Sequence, residues 1–198
     1  MTKLVALDPV FARSGMKSRP VCWVSLRCCA LLISIIIPTA SALGYQRALI
    51  GIRFMRAVNF VGGLEQVAAM ARVPLHVQWQ PFQSVRLSYG IGISSGLFIN
   101  GGGVNHPFIS IGPTLTCSAP GAHGWYVTFA SSPTLIGGSE FRDQRRLGGS
   151  FFFTTSFTLG WRFYHWRTGL RFQHTSNANL GSTNPGVNMV GLVVAETW

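Results

Sequence analysis

Two residues near the C-terminus, His174 and Ser176, have the types and spacing of a base and a nucleophile. They lie in RFQHTSNANLGSTNPGVNMVGL, Arg171 to Leu192. A serine hydroxyl is a poor nucleophile until a neighbouring base takes its proton. Imidazole is the side chain most often used for that task. On an extended strand, residues i and i+2 point the same way and lie about 6.5 Å apart. An imidazole nitrogen then comes within reach of the hydroxyl. The same spacing also suits two polar residues at a membrane interface, so H-x-S alone leaves both readings open.

The element that must carry the pair reads as a strand. In WRTGLRFQHTS the even positions are Trp166, Thr168, Leu170, Phe172, His174 and Ser176. The odd positions are Arg167, Gly169, Arg171, Gln173 and Thr175. One face is apolar until its end and the other is polar and cationic. The same period of two runs through SFFFTTSFTLGWRF, with Phe151, Phe153, Phe157, Leu159, Trp161 and Phe163 on one side. Phe152 breaks that pattern. VRLSYGIGISSGLFI alternates Val85, Leu87, Tyr89, Ile91 and Ile93 with Arg86, Ser88, Gly90, Gly92 and Ser94.

Segments of this kind fall near residues 45–54, 66–80, 84–99, 106–117, 124–136, 149–163, 166–176 and 187–197. The second is ambiguous, because GGLEQVAAMARV also suits a short helix. The segments exceed the usual strand of about five or six residues and reach the nine to eleven that cross a bilayer. Two architectures fit. A soluble sandwich buries its apolar faces between two sheets. A membrane barrel turns them to lipid. Trp125, Trp161, Tyr164 and Trp166 near strand ends and the final Trp198 favour the barrel. The expected fold is therefore all-β, an eight-stranded antiparallel transmembrane β-barrel with a side-chain-filled interior. Its lipid-facing positions would include His174 and Ser176, at the outer end of the seventh strand, with loop 177–187 outside the cell.

Composition agrees. The 198 residues are 47% apolar and only 11% charged, with a net charge of +11. A basic balance points to an anionic partner, a nucleic acid or a membrane surface. No Lys/Arg-rich run with interleaved aromatics stands out, so a nucleic-acid partner is not expected. CCALLISIII, Cys28 to Ile37, follows Lys17, Arg19 and Arg27 and precedes PTASAL. That is the layout of an export signal with Ala-x-Ala cleavage after Ala42. Residues 1–42 are thus the expected signal peptide and 43–198 the barrel, with Met16 as an alternative start. Cleavage leaves Cys117 as the single cysteine, so neither an intrachain disulfide nor a cysteine metal cage is expected. The acids left are Glu65, Glu140, Asp143 and Glu196, too few and scattered for a paired-carboxylate mechanism.

The stretch HTSNANLGSTNPGVN, His174 to Asn188, resembles the signature of the outer-membrane lipid A 3-O-deacylases, the PagL family. His174, Ser176, Asn177, Ala178, Asn184 and Gly186 match it without a gap. The resemblance implies a lipid-facing serine esterase that removes the 3-position acyl chain of lipid A. Ser176 would be the nucleophile and His174 its general base. Asn184 and backbone N–H groups around Asn177–Asn179 would hold the oxyanion. Arg142, Arg145 and Arg146, in the loop EFRDQRRLGG, could pair with lipid A phosphates; they read equally as solvated loop charges. The implied partners are lipopolysaccharide and the membrane, with no metal or redox cofactor, and a homodimer stays open.

One position departs from the family pattern, which has glutamate where this chain has Asn188. Asparagine can accept an N–H bond and fix the histidine tautomer, but it brings no negative charge. Glu140 and Asp143 lie in a different outer loop. The departure keeps one rival in play, a structural or adhesive barrel with weak or no activity; a second rival, independent of Asn188, is a soluble periplasmic β-protein.

Overall fold

The computed structural model describes residues 47–59, 63–100, 104–138, 149–180 and 186–198. Eight strands run in chain order: β1 (Leu49–Ala57), β2 (Leu64–Phe82), β3 (Val85–Asn100), β4 (His106–Ser118), β5 (His123–Ile136), β6 (Phe151–Phe163), β7 (Trp166–Ser176) and β8 (Val187–Thr197). Each pairs antiparallel with its neighbour, and β1 pairs with β8 from Leu49↔Thr197 to Ala57↔Met189 to close the barrel. Closure leaves no free sheet edge, the condition for crossing a bilayer with strands. The ambiguous second segment is strand throughout: Leu64 to Pro74 pairs residue by residue with Asn100 to Gly90, and register shifts follow between Pro74 and Phe82. No helix among the described residues is long and apolar enough to cross a membrane.

Connections alternate in length. Residues 83–84, 119–122 and 164–165 make short turns at the end that also holds both termini of the sheet. Residues 58–63, 101–105, 137–150 and 177–186 connect the strands at the other end. Outer-membrane barrels place short turns in the periplasm and long loops outside. By that rule β7 runs outward and the Ser176 end lies at the outer leaflet.

The faces separate by parity. In β7 the even positions Trp166, Leu170, Phe172 and His174 are exposed, whereas Gly169, Arg171, Gln173 and Thr175 are buried. In β6 the odd positions Phe151, Phe153, Phe157, Leu159, Trp161 and Phe163 are exposed. The outer surface is therefore an apolar band, and Trp161, Phe163, Tyr164, Trp166 and Trp198 crowd its periplasmic rim. Phe157 sits halfway along β6, level with Phe129 and Phe172, and all three are exposed. A cation on the lipid face near midplane costs about 2–4 kcal/mol. Phe157→Arg should therefore lose most folded barrel, read as loss of heat-modifiable gel migration. Phe157→Leu should assemble like the parent, and equal assembly of the two variants would refute the lipid-facing assignment.

The interior departs from an all-polar filling. Its outer end is plugged by Met55, Leu64, Phe98, Phe108, Ile136, Phe152, Val187 and Met189, all buried. Phe152, the break in the β6 alternation, is 1% exposed and belongs to this plug. It is apolar on the lumenal face because that end is closed by hydrophobic packing. Below the plug the lumen is polar. Arg53 Nε donates to Gln66 Oε1 at 3.1 Å, Arg72 Nε donates to Thr114 Oγ1 at 2.8 Å, and Thr134, Thr154 and Thr175 form a hydroxyl chain. Gly160 and Gly169 face each other across β6 and β7. A Cβ at either would lie 2.7 Å from the Tyr126 ring or hydroxyl, so the pair makes room for that lumenal side chain.

Candidate active site

His174 and Asn188 are direct cross-strand partners in the β7–β8 ladder, and Thr155 flanks His174 on β6. Facing Cβ atoms in such a pair are about 4.5–5.5 Å apart, so short side chains meet. The His174 Nδ1 and Asn188 Oδ1 atoms lie 2.7 Å apart, on the exposed outer face. An amide oxygen only accepts, so this contact assigns the proton to Nδ1 and leaves Nε2 as the basic nitrogen. Among the described residues the partner of this imidazole is thus an amide and not a carboxylate. The outward placement of His174 follows from parity, since residue 174 shares the face of Leu170 and Phe172.

Ser176 ends β7, opposite Phe153, and is half-buried on the same face. No hydrogen bond among the described residues joins it to His174. Catalytic contacts of this kind are often long before substrate binds. Immediately after it the chain turns sharply. Asn177 is 1% exposed, its Oδ1 accepts from Asn179 N at 3.1 Å, and its carbonyl accepts from Leu180 N at 2.9 Å. Ala178 and Asn179 take φ values of 51° and 63°. Positive φ is costly for residues with a Cβ, and such strain gathers at functional turns. The Asn177 side chain therefore caps the turn from inside. The Asn179 N–H, one of the donors proposed from sequence, is already used.

Three more residues surround His174 and Asn188. Asn59, just past β1, accepts from Asn188 N at 2.8 Å and donates to Gly186 O at 3.3 Å. Val58 N also donates to the Asn188 carbonyl at 2.9 Å. Asn59 carries no local sequence signal. Its role comes from closure of β1 onto β8, which brings residues 129 apart into contact. Gly186 has φ +58°, and a Cβ there would lie 2.9 Å from His174 Cε1. Gly186→Ala should therefore displace the imidazole and strain the loop, lowering activity about tenfold or more while the barrel assembles. Unchanged turnover by this variant would remove Gly186 from the site.

Asn184, Arg142, Arg145 and Arg146 lie outside the described residues, as do Glu140 and Asp143. Of the candidate site residues, the structure brings together His174, Ser176, Asn177 and Asn188 at the outer end of β7 and β8. No group of three or more His, Cys, Asp or Glu among the described residues could hold a metal ion. Cys117 is free and half-buried on β4, far along the chain from these residues.

A closed eight-stranded barrel with an apolar outer band and an aromatic periplasmic rim defines an outer-membrane β-barrel protein. The family model for lipid A 3-O-deacylase (PagL) matches residues 66–196, more than half of the chain, and the chain belongs to that family. Among solved structures it is similar to the crystal structure of the outer membrane enzyme PagL, at 16% identity and a TM-score of 0.64. The match covers 75% of this chain and 98% of that one, and at this identity it speaks for the fold. A search of curated proteins returned no match.

Proposed function

We propose that the protein is a serine esterase that hydrolyses the 3-position acyl ester of lipid A in the outer leaflet. The observation that carries this reading is the 2.7 Å His174–Asn188 contact, on the lipid-facing side, two residues from Ser176. A buried lumenal site would be out of reach of a lipid; this one opens sideways into the bilayer.

In this mechanism His174 Nε2 takes the Ser176 proton as Oγ attacks the ester carbonyl carbon. The tetrahedral oxyanion is held by N–H donors of the turn after Ser176 and by Asn184. One such donor is worth about 3–4 kcal/mol. Collapse breaks the bond to the 3-oxygen, and His174 returns the proton to that leaving alcohol. Water then attacks the acyl-serine with His174 again as base, and a hydroxy fatty acid leaves. Asn188 fixes the ring tautomer through both steps. Arg142, Arg145 and Arg146 pair with lipid A phosphates, for which planar guanidinium groups are suited. The mature chain starts near Leu43, after a signal peptide over residues 1–42. N-terminal sequencing of the membrane form that still finds Cys28 would reject that boundary.

The second reading is a structural or adhesive barrel with little catalysis, favoured by the uncharged partner of His174. Mass spectrometry of lipid A from cells with and without the expressed protein separates the two. Loss of one ester-linked hydroxyacyl mass is expected. Unchanged lipid A, with the barrel folded in the outer membrane, would leave the second reading standing.

A further inference from the structure

Below its hydrophobic plug the lumen holds a cavity of about 60 Å³. Arg53, Arg72 and Arg171 line it, together with Tyr126 and hydroxyls such as Ser94 and Thr158. The three arginines are 2%, 7% and 7% exposed, so all are more than nine-tenths buried. A guanidinium cannot give up its proton to escape burial. A buried charge is costly unless it is paired.

The hydrogen bonds found here go to neutral oxygens alone, and the Arg53 guanidinium also lies over the Phe108 ring, 5.5 Å from its centroid. Arg53 donates to Gln66 Oε1, and Arg72 donates to Thr114 Oγ1, Ser88 O and Ser88 Oγ. Arg171 reaches only Thr158 Oγ1, at 3.4 Å, and its Nε has no partner among the described residues. The cations also sit near one another: Arg53 feels the charge of Arg171, and Arg72 that of Arg167. The carboxylates Glu65 and Glu196 stand at outward positions, and no side-chain carboxylate among the described residues faces the lumen. Three buried positive charges with unused donors thus converge on one space and lack a negative partner from the protein side chains described.

We infer that this cavity is a binding site for one small inorganic anion, a halide or a tetrahedral oxyanion. The volume sets the class. A single water needs about 10–15 Å³ of such space, so the cavity takes several waters' worth and no more. A lipid headgroup or a nucleotide does not fit. Guanidinium and hydroxyl donors are the groups that coordinate such ions. The periplasmic end of the barrel is also cationic. At the periplasmic mouth a wider cavity of about 430 Å³ is lined by Arg47, Arg86, Arg162 and Arg167. Low-dielectric walls lined by one sign of charge concentrate ions of the other. The bound anion is a structural counter-ion that lets the barrel close around its arginines.

The test uses the whole purified barrel in a zwitterionic detergent, at fixed ionic strength. Sodium gluconate, whose anion is too large for the cavity, is replaced stepwise by chloride, bromide or phosphate. The unfolding midpoint should rise and saturate with the small anions and stay flat in gluconate. Separate chloride and phosphate series show which ion is preferred. Crystals soaked in bromide should give an anomalous peak within hydrogen-bond distance of Arg72 and Arg171. Arg72→Gln with Arg171→Gln should lose the anion-dependent rise. If that variant does not assemble, the bromide map of the parent decides alone. A bromide-free lumen, or bromide confined to the periplasmic mouth, would overturn the proposal. So would equal midpoints in gluconate and chloride.

Discussion

Ser176→Ala and His174→Ala are each expected to abolish lipid A deacylation while leaving the barrel folded and heat-modifiable. Both side chains sit on the outer face, and neither belongs to the plug or the lumenal network, so assembly does not depend on them. Chemistry does. Without the base the serine keeps its proton, and without the serine the base has nothing to activate. Members of such a unit cost about 10⁴-fold or more each when removed. Their losses do not add, so the double variant should be hardly slower than either single one. Lipid A mass spectra taken over time give the rates. A Ser176→Ala protein that still releases hydroxy fatty acid would end the serine-esterase reading. A double variant far slower than both singles would mean that the two residues act separately.

Parity carried most of what was legible before the structure. The alternation over 166–176 is enough to send His174 outward, because one side of that strand holds Arg167, Arg171 and Gln173. Strand bounds came within a few residues for the same reason, since turn residues punctuate every run. Three things were less legible, each for a non-local reason. LEQVAAMAR mixes helix-forming residues such as Leu64, Glu65, Gln66, Ala68 and Ala69 without a clear period, and its ladder with β3 makes it strand. Phe152 looked like an error in the alternation until the plug gave it neighbours from other strands. Asn59 became part of the site only when β1 closed on β8, a contact that no pattern within loop 58–63 announces. The 2.7 Å bond itself depends on the β7–β8 register, where His174 faces Asn188 and not its neighbour. A slip by one residue would have put Asn188 inside the barrel.

That register makes Asn188 the position where a single substitution should raise the rate. In the proposed mechanism His174 becomes an imidazolium as it takes the serine proton, and the group at Nδ1 must stabilise a positive charge. An amide oxygen holds the ring but offers only a dipole. Asn188→Asp keeps the side-chain length that produces the 2.7 Å contact and adds a full charge. Asn188→Glu adds the same charge with one more methylene of reach. The site is exposed at the membrane edge, where carboxylates cost little. It is also more solvated than a buried triad, so the gain should be smaller than the 10⁴-fold loss seen when a buried triad acid is neutralised. About tenfold, or 1.4 kcal/mol off the barrier, is the expected scale for the better of the two. Asn188→Ala should fall by a similar factor, because the ring loses its tautomer and its orientation together. The ordering matters more than the size: acid above asparagine above alanine, with equal amounts of folded barrel. If alanine matches the parent, Asn188 does not act on His174. If alanine is slow and both acids are slow as well, Asn188 works through the amide that holds His174 Nδ1 and not through charge, and the charge of the imidazolium is met by something other than residue 188.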